Sequence, residues 1–140
     1  MIGAVIAKRR ARSAYDALNQ HDVAKSVSNW TEDATWTMSG NVSISGETKG
    51  KKAIEAAFVK WMEQFPKIEF TVKEVFISNI FALGATNNIA VEWDIVEANR
   101  EGKQFHNSVV SIIRVKGGKV VAMRDYIFDA DILEEAWEKH

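Results

Sequence analysis

The hydrophobic pattern of this chain changes period once. From residue 3 to 20 the small and apolar positions Ala7, Ala11, Ala14 and Leu18 recur at three- and four-residue spacing, which predicts a helix able to sit close to whatever it covers. His21-Asp22 interrupts the pattern, and Asp22 is placed to cap a short second helix running through Trp30. Ala34 to Met38 reads as a short strand, and Asn41 to Lys49, rich in Ser, Thr and Gly, as a loop. A third helix is expected from about Gly50 to Gln64, where Ile54, Ala57, Phe58, Trp61, Met62 and Phe65 make a wide apolar face, and Pro66 ends it.

Beyond Pro66 the period is two. Ile68, Phe70 and Val72 alternate with charged residues, and Ile89, Val91, Trp93 and Ile95 alternate with Ala90, Glu92, Asp94 and Val96. Residues 102–129 read as a long hairpin turning at Gly117-Gly118. Asp131 followed by Glu134 suggests the cap of a short closing helix ending at His140. Three helices followed by four long antiparallel strands make an α+β plan, with the helices on one face of a curved sheet. No repeat or linker divides residues 1–140, so one domain is expected.

Composition narrows the chemistry. At 140 residues, 46% of them hydrophobic and one of them proline, the chain is long and apolar enough to enclose a core and a small cavity. A formal net charge of −1 gives no broad attraction to nucleic acid or an anionic membrane. Zero cysteines exclude disulfides, thiol nucleophiles and thiolate metal sites. His21, His106 and His140 are separated, so no metal is expected; no dinucleotide or phosphate-loop fingerprint is present, so no cofactor is expected either. The apolar part of Met1 to Arg10 is too short for a secretory signal and its basic residues follow rather than precede it, which makes the cytoplasm the default location.

Two strands carry acids whose facing decides their meaning. In residues 88–97 the apolar face forms the core and Glu92 and Asp94 meet solvent, or the Trp93 face packs on a partner subunit while the two acids point into a cavity beneath the helices. Two acids in one low-dielectric space cannot both ionise cheaply, so in the second reading one keeps a proton near neutral pH. In the last strand Met123, Asp125 and Ile127 share a face, opposite Arg124, Tyr126 and Phe128. Asp125 between two apolar neighbours either turns to solvent or is buried with perturbed protonation, and in the second case it suits acid–base work. His106 is a structural hydrogen-bonder or a base, and Trp36, Trp61 and Trp137 are core residues or the lining of an aromatic cavity.

Several segments, in order, resemble the SnoaL-like members of the nuclear-transport-factor-2-like superfamily. They are Tyr15-Asp16-Ala17-Leu18-Asn19-Gln20-His21-Asp22, Trp30-Thr31-Glu32-Asp33-Ala34-Thr35-Trp36, Gly50 to Phe58, His106-Asn107, Gly118-Lys119-Val120-Val121 and Arg124-Asp125-Tyr126. The resemblance covers nearly the whole chain. It implies a cone-shaped roll of three N-terminal helices against a curved, mostly antiparallel sheet, a short C-terminal helix, an apolar pocket, and homodimers formed through the outer sheet face, here the Trp93 stripe. Against the limonene epoxide hydrolase pattern Asp94 and Asp125 fall on its two aspartates, while its arginine falls on Glu92, its tyrosine on Trp36 and its asparagine on Met38. Against ketosteroid isomerases the base falls on Met38, the tyrosine near Ala14, one place from Tyr15, and the second oxyanion-hole acid on Ser111. Polyketide-cyclase-like relatives use a pocket acid for proton transfer, a role open to Asp125.

The expectation is therefore a protein binding a hydrophobic small molecule, with acid–base chemistry of isomerase, cyclase or hydrolase type on a terpenoid, steroid-like or polyketide-like compound. A non-catalytic ligand-binding or dimerisation module is the alternative. Asp125 and Asp94 are the expected catalytic pair, with Glu92 and Asn107 positioning a polar group or water. Trp36, Met38, Val109, Ser111, Met123 and Ile127 complete the expected substrate site, whose shape depends on the loops around residues 38–48 and 97–104. No nucleic acid, membrane, metal or cofactor partner is expected.

Overall fold

A computed structural model describes residues 2–79 and 86–138. The first helix, α1 (Ile2–Asn19), buries Ala11, Tyr15 and Leu18, one stripe of its surface. Its end is latched to the sheet by Asn19, whose Nδ2 donates to the Phe70 carbonyl at 2.9 Å and whose Oδ1 accepts from the Phe70 amide at 2.6 Å. Asp22 caps α2 (Val23–Ser26), its carboxylate accepting from the Lys25 amide at 3.1 Å. This helix stops well short of Trp30. Ser26 and Ser28 turn their hydroxyls back onto the carbonyls of Val23 and Lys25, a local alternative to helix, and the Asn29 carbonyl accepts from the Val120 amide. The β-branched and aromatic run that follows forms β1 (Trp30–Met38), which begins earlier than the pattern suggests.

Within the segment expected to be a loop, β2 (Gly46–Lys49) pairs antiparallel with β1. The helix α3 (Lys51–Gln64) starts at Gly50, whose φ of 93° a side chain would disfavour. Then come β3 (Lys67–Ile77), β4 (Asn87–Ala98), β5 (Gln104–Lys116) and β6 (Lys119–Ile127), the last two joined through Gly117 and Gly118 at φ 58° and 79°, as a two-residue hairpin requires. The closing helix α4 (Ala130–Trp137) is capped by Asp129, not Asp131: Oδ1 of Asp129 accepts from the Ile132 amide at 3.0 Å. Its expected end at His140 lies outside the described residues.

The α+β plan is as expected, but among the described residues the sheet has six strands in the order β2-β1-β6-β5-β4-β3, and β1 pairs parallel with β6. Irregularities between Val72 and Glu74 and between Arg114 and Val115 add local twist and bend to the sheet. Its concave face meets the helices, and register fixes which residues point there. One transverse row runs Val91, Ser111, Asp125, Met38 across four strands. Trp93 shares this face and is 1% exposed, in ring contact with Tyr15, Trp61 and Phe70. The expected dimer stripe around Trp93 is therefore the floor of the core. Strand parity allows only one of the two faces inside, and burying an indole with three isoleucine and valine neighbours outweighs burying two carboxylates.

Candidate functional site

Between α1 and the concave face of the sheet lies a cavity of about 600 Å³. Its inner walls are aromatic and apolar, including Phe58, Trp61, Phe70, Trp93, Ile113 and Met123. The rim is built by the first half of α1 with Arg10, by Asn87 at the start of β4, and by Gly118 of the hairpin turn. The loops around 38–48 and 97–104, expected to shape the pocket, are not among its lining. Among the described lining residues Asp125 is the single carboxylate, and Arg10 and Lys25 are the cations.

Asp125 is 3% exposed, and each of its oxygens takes a protein donor. Ser111 Oγ donates to Oδ1 at 2.5 Å and the Trp36 indole Nε1 donates to Oδ2 at 2.9 Å. Ser111 Oγ also accepts from the Trp93 indole at 2.8 Å and lies 2.8 Å from the Tyr15 hydroxyl. Burial pushes the Asp125 carboxyl up to about 6, and the bonds from Ser111 and Trp36 hold it from going higher. Tyr15 is raised above the ordinary phenol range, first by burial and then by the charge of Asp125. A carboxyl that changes protonation near neutral pH, in an apolar chamber, can give or take a proton from a bound molecule.

A second buried acid was not foreseen. Glu97, 4% exposed, shares the inward parity of Trp93, and its Oε2 accepts from the Trp61 indole at 3.0 Å. Burial raises it to about 7, opposed by that one bond. The signal was present in the alternation: once Trp93 faces inward, so does Glu97, four residues along the same strand.

The expected site residues divide by face. Met123 and Asp125 line the cavity. Trp36, Met38, Val109 and Ser111 are buried on the same concave side, behind it, and Ile127 is half-buried farther along β6. Asp94 and Glu92 are not in the site. Glu92 is exposed, and the Asp94 side chain, 38% exposed, pairs with Lys73 at 3.4 Å and accepts from Ser108 Oγ at 2.8 Å. The pairing of Asp94 with Asp125 is thus corrected: the two lie on opposite faces of the sheet because the Trp93 parity holds Asp94 outward. Asn107 is not among the described residues that line the cavity either. It ties β5 to α4, donating to the Asp129 carbonyl at 2.7 Å and accepting from its amide at 3.0 Å. His106 is exposed on the outer parity of β5. Tyr15 was missed as a site residue, although its four-residue spacing from Ala11 places it on the buried stripe of α1.

Among the described residues no group of three or more His, Cys, Asp or Glu is arranged to hold a metal ion, and no helix is long and apolar enough to cross a membrane. The fold is similar to that of Bal32a from a soil-derived mobile gene cassette, with a TM-score of 0.82 and 22% identity over 94% of this chain and 95% of that one. It is similar to TerC, co-crystallised with polyporic acid, at a TM-score of 0.76 and 16% identity over 94% of this chain and 97% of that one. An NTF2-like protein from Anabaena variabilis matches at a TM-score of 0.72 and 20% identity, covering 91% of this chain and 90% of that one. The family model for the SnoaL-like domain matches residues 11–123, and the chain belongs to that family.

Proposed function

We propose that this protein binds an apolar ring compound of terpenoid, steroid-like or polyketide-like kind and moves a proton on it, as an isomerase or cyclase does, with Asp125 as the acid or base. The observation that carries the reading is a buried carboxyl, the single one among the described lining residues, raised to about 6 beside the aromatic and apolar inner walls of a cavity of about 600 Å³. That volume falls within the range of pockets that enclose small-molecule ligands, roughly 300–1,000 Å³. A hydrolytic mechanism using two facing aspartates is not supported, because Asp94 is on the other side of the sheet. Proton transfer by a positioned carboxyl contributes roughly 10²–10⁴-fold, so placement of the substrate by the aromatic walls carries the remainder.

The test is a thermal-shift screen of fused-ring ketones and phenols, followed by exchange of the bound ketone's α-hydrogens in deuterated water. A ligand present at 100 times its Kd should stabilise the fold by about 2.7 kcal/mol. Exchange catalysed by the native protein and lost in Asp125→Asn supports the enzyme. Equal binding without exchange in both proteins means a ligand cup without chemistry.

A second copy of the chain is the proposed macromolecular partner, docking on the convex sheet face. That face exposes Phe76, Val110, Tyr126 and Phe128, the last at 89%, and it carries both charge signs in Glu92 and Arg124. Sedimentation should report a dimer at micromolar concentration and a monomer for Tyr126→Glu/Phe128→Glu; a monomeric native protein would refute it.

A further inference from the structure

The geometry points to Tyr15 as the group that meets the ligand's hydroxyl, the outer end of a relay through Ser111 to Asp125 that takes up the proton of an enol or a phenol. This rests on the reading of the cavity as a ligand site and deepens it by naming the substrate's reactive group.

The direction of every hydrogen bond in the cluster follows from counting donors. Ser111 Oγ has one hydrogen and two lone pairs. Trp93 Nε1 can only donate, so it occupies one lone pair. When Asp125 is ionised it can only accept, so the Ser111 hydrogen goes to Oδ1. The second lone pair of Ser111 then receives the Tyr15 hydrogen, and Tyr15 turns only lone pairs to the cavity it lines. A ligand oxygen placed against Tyr15 must therefore bring its own hydrogen.

When Asp125 is protonated the whole chain runs the other way. Trp36 holds Oδ2, so the acid hydrogen sits on Oδ1 and points at Ser111. Ser111 then donates to Tyr15, and Tyr15 donates into the cavity. Passing between the two states is one proton transfer with balanced bonds. The ligand O–H gives its proton to Tyr15 Oη, Tyr15 gives its own to Ser111 Oγ, and Ser111 gives its own to Asp125 Oδ1. The O–H bond electrons stay on the ligand oxygen as an enolate or phenolate, which Tyr15 now hydrogen-bonds; the negative charge has left the carboxylate for the ligand. Such a transfer is nearly balanced when donor and acceptor have similar acidity. With Asp125 near 6, the fitting substrate is a hydroxyl acidified by a conjugated carbonyl.

The groups facing Asp125 from the packed elements are Tyr15 of α1, Trp36 of β1, Trp93 of β4 and Ser111 of β5. The charged groups farther along the cavity wall are Arg10 and Lys25, and Glu97 lies behind Trp61.

The experiment compares 2-naphthol, 2-methoxynaphthalene and naphthalene by calorimetric titration at about pH 5 and about pH 8, in native protein and in the Glu97→Gln background that removes the other buried acid. At the higher pH the naphthol should bind about ten-fold more tightly than its methyl ether, the worth of one buried hydrogen bond. At the lower pH Tyr15 donates to either oxygen, and the ratio should fall to within about two-fold. Ser111→Ala and Tyr15→Phe should make the ratio independent of pH. Asp125→Asn, whose amide hydrogen takes the place of the acid proton, should hold the low-pH ratio throughout. A native ratio that does not move with pH, or one that still moves in Ser111→Ala, overturns the relay while leaving the cavity intact. Failure of naphthalene itself to bind the native protein overturns the cavity reading and the relay with it.

Discussion

Replacing Glu97 by Gln should stabilise this protein at neutral and alkaline pH and leave it unchanged in acid. The folded chain holds the Glu97 proton up to about 7, against an ordinary value of 4.5 in the unfolded chain, because burial penalises the carboxylate. Between those two values the native state binds more protons than the unfolded state. The stability tied to this proton is therefore fully present below about 4.5 and is lost as pH rises through about 7. At ~1.4 kcal/mol for each tenfold difference in proton affinity, the loss is about 3 kcal/mol. Gln keeps an oxygen for the Trp61 indole, which now lies 3.0 Å from Glu97, and it has no charge to bury.

Urea denaturation of both proteins from pH 4 to 8.5 isolates the effect, because the other titrating groups contribute equally to both curves and cancel in the difference. That difference should be near zero at the acid end and climb to about 3 kcal/mol above pH 7.5, or roughly 10 °C in Tm for a domain of this size. A difference that is flat with pH would mean that Glu97 is solvated in the folded protein. A variant less stable than the native protein at pH 8 would mean that the amide hydrogens find no partner and cost more than the charge did.

The remaining expectations concern the cavity floor and the sheet edge. In a carbon-detected titration of the aspartate carboxyls, Asp125 should change protonation near 6, and a midpoint near 4 would show that water reaches it. Trp93→Phe keeps most of the ring but removes the donor to Ser111, which should cost about 1–3 kcal/mol in urea denaturation; a loss too small to resolve would mean that the bond is not formed. Asn19→Ala removes both bonds from α1 to the Phe70 backbone, so the Phe70 amide should lose most of its hydrogen-exchange protection, with a stability cost of about 1–2 kcal/mol. Unchanged protection at Phe70 would show that β3 holds its place without the helix.

What the sequence made legible was whatever a local period could carry. The helix of small residues, the helix closed by Pro66, the alternating strands and the Gly117-Gly118 turn each report on neighbours a few residues away. The parallel pairing of β1 with β6 is a contact between residues some ninety apart, and no local pattern announces it. The site failed on the same ground. Alternation in β4 gave two candidate faces and could not choose between them, because the choice is made by Tyr15, Trp61, Phe70 and the partner strand together. The acids of β4 do not mark its inner face: Trp93 is buried there, and Asp94 is held outward beside Lys73.

The tryptophans were the better marker, for a reason that can be stated from hydrogen-bond bookkeeping alone. A buried indole needs an acceptor for its N–H, and a buried oxygen needs a donor. Trp36, Trp61 and Trp93 each direct an N–H at a buried oxygen, those of Asp125, Glu97 and Ser111. Each bond gives the indole its acceptor and the oxygen one donor; burial among hydrocarbon raises the proton affinity of the two acids, and the indole bonds oppose that rise. Because an indole donates once and accepts nothing, it also fixes direction: Trp93 leaves Ser111 a single hydrogen and a single lone pair to share between Asp125 and Tyr15. A histidine or an amide in that place could have reversed its own polarity and absorbed the change. With an indole there, a change of protonation at Asp125 has one outlet, through Ser111 and Tyr15 into the cavity.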